Sequence, residues 1–258
     1  MANNSSYFLC ATPRSGTTLL CGLLADMGRA GQPQSYYRRQ DIERRARGYG
    51  LHADQFSDQV EFEQAYLNAV LREGRGHSGI FGLRIMWGSV AEMAERLRPL
   101  RPALGDAALF EELFGPLTYV HVSRRDKVAQ AISLSKAEQT GLWHVAADGS
   151  ERQRTAPPAL AHYDAGRLAE LVAELEQDDC AWSAFFADNE IRPVKIEYED
   201  LAASPRTELR KILQALNLPQ DLAETVDAVT SKMADSESSA WGDQFRRERG
   251  SRADGMDV

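Results

Sequence analysis

Residues 7–20 read YFLCATPRSGTTLL, and this stretch is the most informative part of the sequence about the fold. Its first five residues form a nearly continuous apolar run, which predicts a central parallel strand that is buried on both faces. The run breaks at three turn formers, Pro13, Ser15 and Gly16. From Thr17 onward the apolar residues recur at helical spacing. The stretch therefore predicts a strand, a tight turn and a helix in immediate succession.

The predicted turn and the start of the helix form a candidate anion site. Backbone N–H groups are unpaired at a helix N-terminus, and the macrodipole there favours negative charge. Arg14 adds a permanent positive charge, and hydroxyl donors follow it at Ser15, Thr17 and Thr18. We interpret the turn as a phosphate cradle. The alternative is an ordinary strand-to-helix turn with a capping Thr.

This candidate anion site differs from two common nucleotide-binding loops. In a Walker A loop the second Gly is followed by a Lys that reaches the terminal phosphates. Here Gly16 is followed by Thr17, and the basic residue Arg14 precedes the Gly. The G-x-G-x-x-G pattern of dinucleotide-binding proteins is also missing. The turn therefore disfavours both a nucleoside triphosphate held with Mg²⁺ and a dinucleotide.

Length and composition fit one globular domain. The 258 residues suffice for a full α/β core, and we assign residues 1–250 to a single domain and 251–258 to a disordered tail. The net charge of −8 argues against nucleic-acid binding but permits a local basic pocket. Three cysteines without a C-x-x-C pair favour buried thiols in a reducing compartment. The five histidines lack the spacing of a zinc site, so no metal is expected.

Targeting signals are also missing from the sequence. The N-terminal apolar run is too short for a secretory signal and has no basic flank. No apolar stretch approaches the roughly 20 residues of a membrane span. We therefore expect a cytoplasmic protein without stable membrane insertion.

Three further apolar stretches predict the other strands of one sheet, namely residues 80–87 (IFGLRIMW), 117–123 (LTYVHVS) and 193–198 (PVKIEY). Arg84 interrupts the first of them, and a buried guanidinium is costly unless it meets an anion or emerges at the strand end. Apolar residues at helical spacing separate the strands. The pattern predicts an α/β fold with a central parallel sheet flanked by helices.

Helical periodicity places the helices between the predicted strands. We expect them near residues 62–74, 90–97, from about 126, within 159–189 as one helix or two, and from a capping Ser204 followed by Pro205. Residues 28–58 and 141–158 are predicted to be rich in loops. The arginines within residues 38–47 are interpreted as a solvated helix face, with an anion-attracting rim as the alternative.

The turn sequence TPRSGTT resembles the 5′-phosphosulfate loop of sulfotransferases, which use 3′-phosphoadenosine 5′-phosphosulfate (PAPS). Further fragments resemble the trehalose 2-sulfotransferase family, bacterial PAPS-dependent carbohydrate sulfotransferases, in the order of that family. They are residues 30–34 (AGQPQ), 84–87 (RIMW), 128–133 (VAQAIS), 139–140 (QT), Trp143 and 241–247 (WGDQFRR). The resemblance covers most of the chain. It implies a P-loop-like sulfotransferase fold and a homodimer.

The resemblance also implies roles for individual residues. Arg14 would be catalytic, because it would neutralise charge that develops on the bridging oxygen of PAPS. The 5′-phosphosulfate would be held by Pro13, Arg14, Ser15, Gly16, Thr17 and Thr18. The 3′-phosphate would be held by Arg124 and Ser133. A carbohydrate or glycolipid acceptor would lie beside Gln32, Gln34, Ser35, Trp87 and Trp143, although a core role suits either Trp equally well.

One departure from the family concerns residues 31–35, here called the acceptor loop. The trehalose enzymes read like G-E-P-Q-E in this loop, and their second Glu is the presumed general base. Here the loop reads GQPQS, so Ser35 stands at the position of that Glu. An unperturbed hydroxyl is a poor base. The acid–base candidates in the two loop-rich regions are Asp41, Glu43, His52 and His144, and the sequence does not choose among them.

The sequence thus predicts transfer of a sulfuryl group from PAPS to a hydroxyl without a metal. Two alternatives stay open. A metal-dependent small-molecule kinase would need a P-loop Lys, which is missing. A non-catalytic nucleotide-binding protein is conceivable because the acceptor loop has lost both carboxylates.

Overall fold

A computed structural model describes residues 5–145, 151–226 and 236–254, which form six β-strands and ten α-helices. The strands are β1 (Ser6–Ala11), β2 (Phe81–Met86), β3 (Leu117–Ser123), β4 (Leu142–Val145), β5 (Glu151–Arg154) and β6 (Val194–Glu197). The α-helices are α1 (Thr17–Asp26), α2 (Arg39–Gly48), α3 (Gln59–Arg75), α4 (Val90–Leu97), α5 (Asp106–Phe114), α6 (Lys127–Thr140), α7 (Ala165–Asp188), α8 (Tyr198–Ala203), α9 (Pro205–Ala215) and α10 (Ser236–Asp254). Short 3₁₀ helices lie at Ala53–Gln55, Trp87–Ser89, Arg98–Leu100 and Gln220–Thr225.

The central sheet has four parallel strands in the order β2-β1-β3-β6. Strand β1 lies in its interior, and all six of its residues are buried, as its apolar run predicts. Ala11 at the end of β1 pairs with Met86 of β2 and Val122 of β3. The carboxyl ends of these strands therefore lie together, and the segments that follow them meet at one edge of the sheet. The predicted α/β fold is confirmed.

Alternate residues of β1 supply two cores, because successive side chains of a strand point to opposite faces. Phe8 and Cys10 belong to one cluster, which includes residues of α3, α4, α5 and α7. Tyr7 and Leu9 belong to the other cluster, together with apolar residues of α1 and α9. A third cluster joins α6, α7 and α10. The β1–α1 turn, residues 12–16, is thus supported from both faces of the sheet.

Four details differ from the sequence prediction. The region 141–158 contains an antiparallel hairpin of β4 and β5, which pattern analysis missed because strands of four residues carry little periodicity. Helices α5, α8 and α10 were not predicted, whereas the single helix α7 is one of the two arrangements expected within residues 159–189. Ser204 precedes Pro205 as expected, but its side chain does not cap α9. The tail predicted from Ser251 partly overlaps α10, and residues 255–258 lie outside the described residues.

The arginines of residues 38–47 lie on or beside α2. Ile42 and Ala46 are buried on one side of this helix, while Arg39, Arg44 and Arg47 are exposed on the other. The interpretation as a solvated helix face is confirmed for these three arginines. Across the described ranges, no helix is both long and apolar enough to cross a membrane.

Candidate functional site

The β1–α1 turn has an unusual backbone at two positions. Arg14 has φ 63° and Gly16 has φ 87°, both in the left-handed region. Gly16 is required there for a second reason, since a Cβ atom would lie 2.5 Å from the ring of Tyr198. The carbonyl of Gly16 accepts the hydrogen bond of Leu20 N–H at 3.1 Å and so starts α1. Backbone N–H groups of the turn consequently gather at the N-terminus of α1, as an anion site requires.

Side chains from the turn itself and from α6 fix this backbone. The Ser15 hydroxyl donates to the Thr12 carbonyl at 2.8 Å. The Gln130 amide of α6 donates to the Thr12 hydroxyl at 2.9 Å and to the Pro13 carbonyl at 2.7 Å. Gln130 is completely buried, so these bonds are formed in a dry environment.

Helix α7 extends this support. The Lys127 ammonium donates to the side-chain amide oxygen of Gln130 at 3.0 Å and pairs with Asp179 of α7. Trp182, also on α7, donates from its indole nitrogen to the Ala11 carbonyl at 3.0 Å. The β1–α1 turn is thus linked through Gln130 and Trp182 to two long helices.

The Arg14 side chain lies at the centre of the predicted donor site. Its Nε donates to the Ser133 hydroxyl at 3.0 Å, and its Nη1 donates to the Trp143 carbonyl. Burial lowers the pKa of Arg14, and the nearby charge of Arg124 lowers it further. Both effects disfavour the charged guanidinium, so a bound anion would stabilise it.

Arg124 follows β3 and lies against the same turn. Its Nη1 is 3.5 Å from the Arg14 carbonyl, and its guanidinium carbon is 4.7 Å from the centre of the Tyr198 ring. Burial lowers the pKa of Arg124. Its Nε is buried and has no hydrogen-bond partner among the described residues. A buried donor of this kind needs a partner, and an anionic oxygen would supply one.

The structure therefore gathers the predicted donor residues around one turn. Two residues are expected at the 3′-phosphate, and both contact Arg14. Arg124 donates to the Arg14 carbonyl, and the Ser133 hydroxyl accepts from Arg14 Nε. Thr17 is buried at the first position of α1, and the Thr18 hydroxyl accepts a hydrogen bond from Arg84 of β2 at 3.0 Å.

The acceptor loop lies beside β2. Gln34 forms a parallel bridge with Leu83, and its side-chain oxygen accepts a hydrogen bond from Arg45 of α2 at 2.8 Å. The Ser35 hydroxyl accepts a hydrogen bond from Arg84 Nε at 2.9 Å. The Gln32 carbonyl accepts a hydrogen bond from the Tyr36 hydroxyl at 2.6 Å. Arginine side chains thus fix the polar side chains of Gln34 and Ser35.

The two predicted acceptor tryptophans differ in their surroundings. Trp87 follows β2 and packs edge-on against Trp182, with ring centroids 5.0 Å apart, and also against Phe185. It contributes to the core and is only partly buried. Trp143, on β4, donates from its indole nitrogen to the Thr155 hydroxyl at 3.0 Å, while its carbonyl accepts from Arg14. Trp143 thus forms a hydrogen bond with a predicted donor residue, Arg14.

The four candidate bases differ in their partners and in their exposure to solvent. Asp41 pairs with Arg44 at 2.9 Å, and Glu43 pairs with Arg47 at 2.7 Å, so both carboxylates already have cationic partners. His52 is exposed. The backbone of His144 continues β4 directly after Trp143, but its side chain lies outside the described residues. Within the described ranges, no three His, Cys, Asp or Glu side chains form a group that could hold a metal ion.

Four contributors to the site were not predicted as site residues: Arg84, Gln130, Trp182 and Tyr198. Arg84 and Gln130 fall in fragments that resemble the family, at residues 84–87 and 128–133, which was the available signal for them. Local sequence patterns hold no such signal for Trp182, because its partner Ala11 is 171 positions away. Arg84 could have been identified from the cost of placing a guanidinium in an apolar strand.

A comparison with known protein families identifies the family of this chain. The sequence model of the Stf0 sulphotransferase family matches residues 6–248, which is nearly the whole chain. The chain belongs to this family. The match includes β1, the β1–α1 turn, the acceptor loop, and both Arg124 and Ser133. The expected family is confirmed, and the protein is a sulfotransferase by membership.

The chain is also similar to individual proteins. The chain is 28% identical over 260 residues to "Trehalose 2-sulfotransferase" of Mycobacterium tuberculosis (strain ATCC 35801 / TMC 107 / Erdman), covering 94% of each protein. It is 25% identical over 264 residues to the protein of the same name from Mycolicibacterium smegmatis (strain ATCC 700084 / mc(2)155), covering 95% of each. The solved sulfotransferase domain of the Synechococcus PCC 7002 olefin synthase matches with a TM-score of 0.48 and 16% identity, covering 94% of this chain and 87% of that domain.

The role of Gln130 leads to a first prediction. Gln130→Met preserves side-chain size but removes both donors to the β1–α1 turn and leaves the Pro13 carbonyl unpaired. We expect the free energy of unfolding to fall by about 1–3 kcal/mol, the usual cost of an unsatisfied buried group. Affinity for 3′-phosphoadenosine 5′-phosphate (PAP) should also fall. Chemical denaturation and calorimetry measure the two effects. Gln139→Met, which alters another glutamine of α6, is the control and should retain PAP affinity.

Proposed function

We propose that this protein transfers a sulfuryl group from PAPS to a hydroxyl group of a carbohydrate or glycolipid. Family membership supports sulfuryl transfer, and the names of both mycobacterial relatives support a carbohydrate acceptor. The choice of donor rests on the position of Arg14 and Arg124 at one turn, where Arg124 Nη1 lies 3.5 Å from the Arg14 carbonyl. The buried Nε of Arg124 has no partner among the described residues. A nucleotide with phosphate groups at both the 5′ and 3′ positions would supply anions for two such guanidinium groups.

The proposed reaction exchanges one S–O bond for another. The bond from sulfur to the bridging oxygen breaks, and its electron pair stays on the 5′-phosphate of PAP. The acceptor hydroxyl oxygen forms the new bond to sulfur, and the hydroxyl proton passes to a base. Arg14 would donate hydrogen bonds to the bridging oxygen as negative charge develops there. Its fixed contacts with Ser133 and Trp143 would hold the guanidinium in place before the reaction.

The donor residues act mainly by position. Backbone N–H groups of the β1–α1 turn, together with the hydroxyl groups of Thr17 and Thr18, would hold the 5′-phosphate. Arg124 and Ser133 would contact the 3′-phosphate, which distinguishes PAPS from ATP. A guanidinium held between an aromatic ring and a backbone carbonyl, as in Arg124, loses little freedom when it binds.

A non-catalytic role is the second candidate. It is favoured by the acceptor loop, whose polar side chains Gln34 and Ser35 accept hydrogen bonds from arginines and include no carboxylate. Tight PAP binding without sulfate transfer to any acceptor in a broad carbohydrate and glycolipid screen would establish this role. Transfer of radiolabelled sulfate from PAPS into a polar extract would exclude it. Homodimer formation and a cytoplasmic location remain predictions.

Nucleotide choice provides the next prediction. Arg124→Ala should weaken PAP binding by about 1.5–3 kcal/mol, the usual value of a charge-assisted contact, and should leave binding of adenosine 5′-phosphate nearly unchanged. Calorimetry with the two nucleotides measures the difference. Arg125→Ala is the matched control, because Arg125 is exposed and pairs with Asp200 at 2.7 Å. Equal losses for both nucleotides would contradict the assignment of Arg124 to the 3′-phosphate.

Metal dependence separates the proposal from the kinase alternative. The β1–α1 turn has no Walker Lys, and sulfuryl transfer by positioned donors needs no metal. We therefore expect sulfate transfer to survive EDTA with an unchanged rate. Turnover that stops with EDTA and returns with Mg²⁺, together with activity on ATP, would support the kinase instead.

The general base gives a further prediction. Ser35→Ala should lower kcat only modestly, because the hydroxyl accepts a hydrogen bond from Arg84 and an unperturbed hydroxyl is a poor base. Removal of the true base should lower kcat by about 10²–10⁴-fold and leave PAP affinity unchanged. We expect this effect for His144→Gln. Asp41 and Glu43 are paired with arginines, whereas His144 continues a strand that touches Arg14.

The matching measurements are kcat values for Asp41→Asn, Glu43→Gln and His52→Gln with the same acceptor. These three variants should stay within a few-fold of the unmodified protein. A collapse for Ser35→Ala, with His144→Gln unaffected, would mean that the acceptor loop itself carries the proton transfer.

A further inference from the structure

Arg84 connects the donor side of the site to the acceptor side. It lies on β2, where it is in register with Leu9 of the central strand. Its Nη1 donates to the Thr18 hydroxyl of α1 at 3.0 Å, and its Nε donates to the Ser35 hydroxyl of the acceptor loop at 2.9 Å. Under the proposed function the donor lies beside Thr18 and the acceptor beside Ser35, so Arg84 would lie between the two substrates.

The charge of Arg84 has no carboxylate partner within the described part of the chain. Two other arginines with restricted exposure do have one: Arg96 donates to Glu63 at 3.1 Å, and Arg45 pairs with Glu73 at 3.5 Å. Both fixed partners of Arg84 are neutral hydroxyl groups. A partly buried guanidinium without a counter-ion favours a bound anion.

The guanidinium of Arg84 is also preoriented. Two of its three nitrogens are fixed by Thr18 and Ser35, and Nη2 makes no hydrogen bond with the described residues. Nη2 is not among the buried unpartnered atoms of the described residues, so it is exposed to solvent within that part of the structure. A donor that is held in place before the ligand arrives needs no reorganisation when charge develops next to it.

We propose that Arg84 Nη2 donates a hydrogen bond to the sulfuryl group during its transfer, as a second catalytic guanidinium besides Arg14. This inference rests on the proposed function. Sulfur exchanges its bond to the bridging oxygen for a bond to the acceptor oxygen, the electron pair remains on PAP, and the hydroxyl proton passes to the base. Arg84 stays protonated throughout and loses no atom. Its charge would offset the charge on the non-bridging sulfuryl oxygens.

The alternative ligand of Arg84 Nη2 is an anionic group on the acceptor. The sulfuryl group is favoured because Arg84 is anchored on α1, whose N-terminus forms the donor cradle, as well as on the acceptor loop. An arginine for the acceptor alone would need no anchor on Thr18. The experiment must therefore separate the donor from the acceptor.

The test compares PAPS with PAP by calorimetry without any acceptor, since the two ligands differ by the sulfuryl group. Arg84→Gln should weaken PAPS binding about tenfold or more, as expected for one charge-assisted hydrogen bond, and should change PAP affinity less than twofold. With a neutral carbohydrate acceptor, kcat should fall about 10²–10³-fold, as it does when one preoriented donor is removed, while the KM of the acceptor stays constant.

Two further variants control the experiment. Arg84→Lys retains the charge but not the planar fork, so it should recover part of both losses and also serve if Arg84→Gln does not fold. Arg101→Gln removes an exposed arginine that pairs with Glu112, and both nucleotide affinities should be unchanged. Thermal unfolding of each variant confirms that it is folded.

Three outcomes would overturn the inference. Equal losses of PAPS and PAP affinity would assign Arg84 to a phosphate or to the fold. A rise in KM that occurs with acidic acceptors and is missing with neutral ones would assign it to the acceptor. Unchanged PAPS affinity and kcat would show that it touches neither. If the unmodified protein binds neither nucleotide, the proposed function fails first, which distinguishes that failure from the failure of Arg84 alone.

Discussion

The candidate site depends on the hydrogen bonds that hold the backbone of the β1–α1 turn. A left-handed conformation costs an L-residue such as Arg14 about 1–2 kcal/mol, so the turn needs support from elsewhere. Gln130 and Trp182 provide it, because each donates to a carbonyl of the turn or of the strand end before it. Their helices are themselves joined by the pair of Lys127 and Asp179. The donors of the anion site are therefore as rigid as the packing of α6 and α7.

The same turn concentrates positive charge in a chain that is acidic overall. The net charge is −8, yet Arg14 and Arg124 approach each other at the turn, and burial lowers the pKa of both. Nearby acids are engaged elsewhere: Asp200 binds Arg125, while Asp126 caps α6 and pairs with Arg246 of α10 at 2.8 Å. This arrangement keeps carboxylates at the rim of the site. Two guanidinium groups that lose solvation close to one another are expected where a protein binds anions.

The sequence alone predicted the parts of the site that are local. The strand, turn and helix of residues 7–20 follow from a change of apolar period and from turn formers, and these signals span few residues. Gln130 and Trp182 could not be placed by local pattern, because they meet the turn across 117 and 171 positions. The hairpin of β4 and β5 was missed since its strands are short, although it delivers the Trp143 carbonyl to Arg14. The fold was thus more predictable than the contacts that make the turn functional.

The acceptor loop shows how a lost carboxylate changes a site. In the resemblance to the trehalose enzymes a Glu stands at position 35, where its charge would lie next to Arg84. Ser35 accepts a hydrogen bond from Arg84 Nε at 2.9 Å, but its hydroxyl group carries no charge. One change thus removes a proton acceptor and leaves a guanidinium without a counter-ion. Arg84 then has its charge available for an anion, and in the proposed reaction the hydroxyl proton passes to a group outside the acceptor loop. His144, the base that we propose, belongs to the hairpin whose Trp143 carbonyl accepts a hydrogen bond from Arg14.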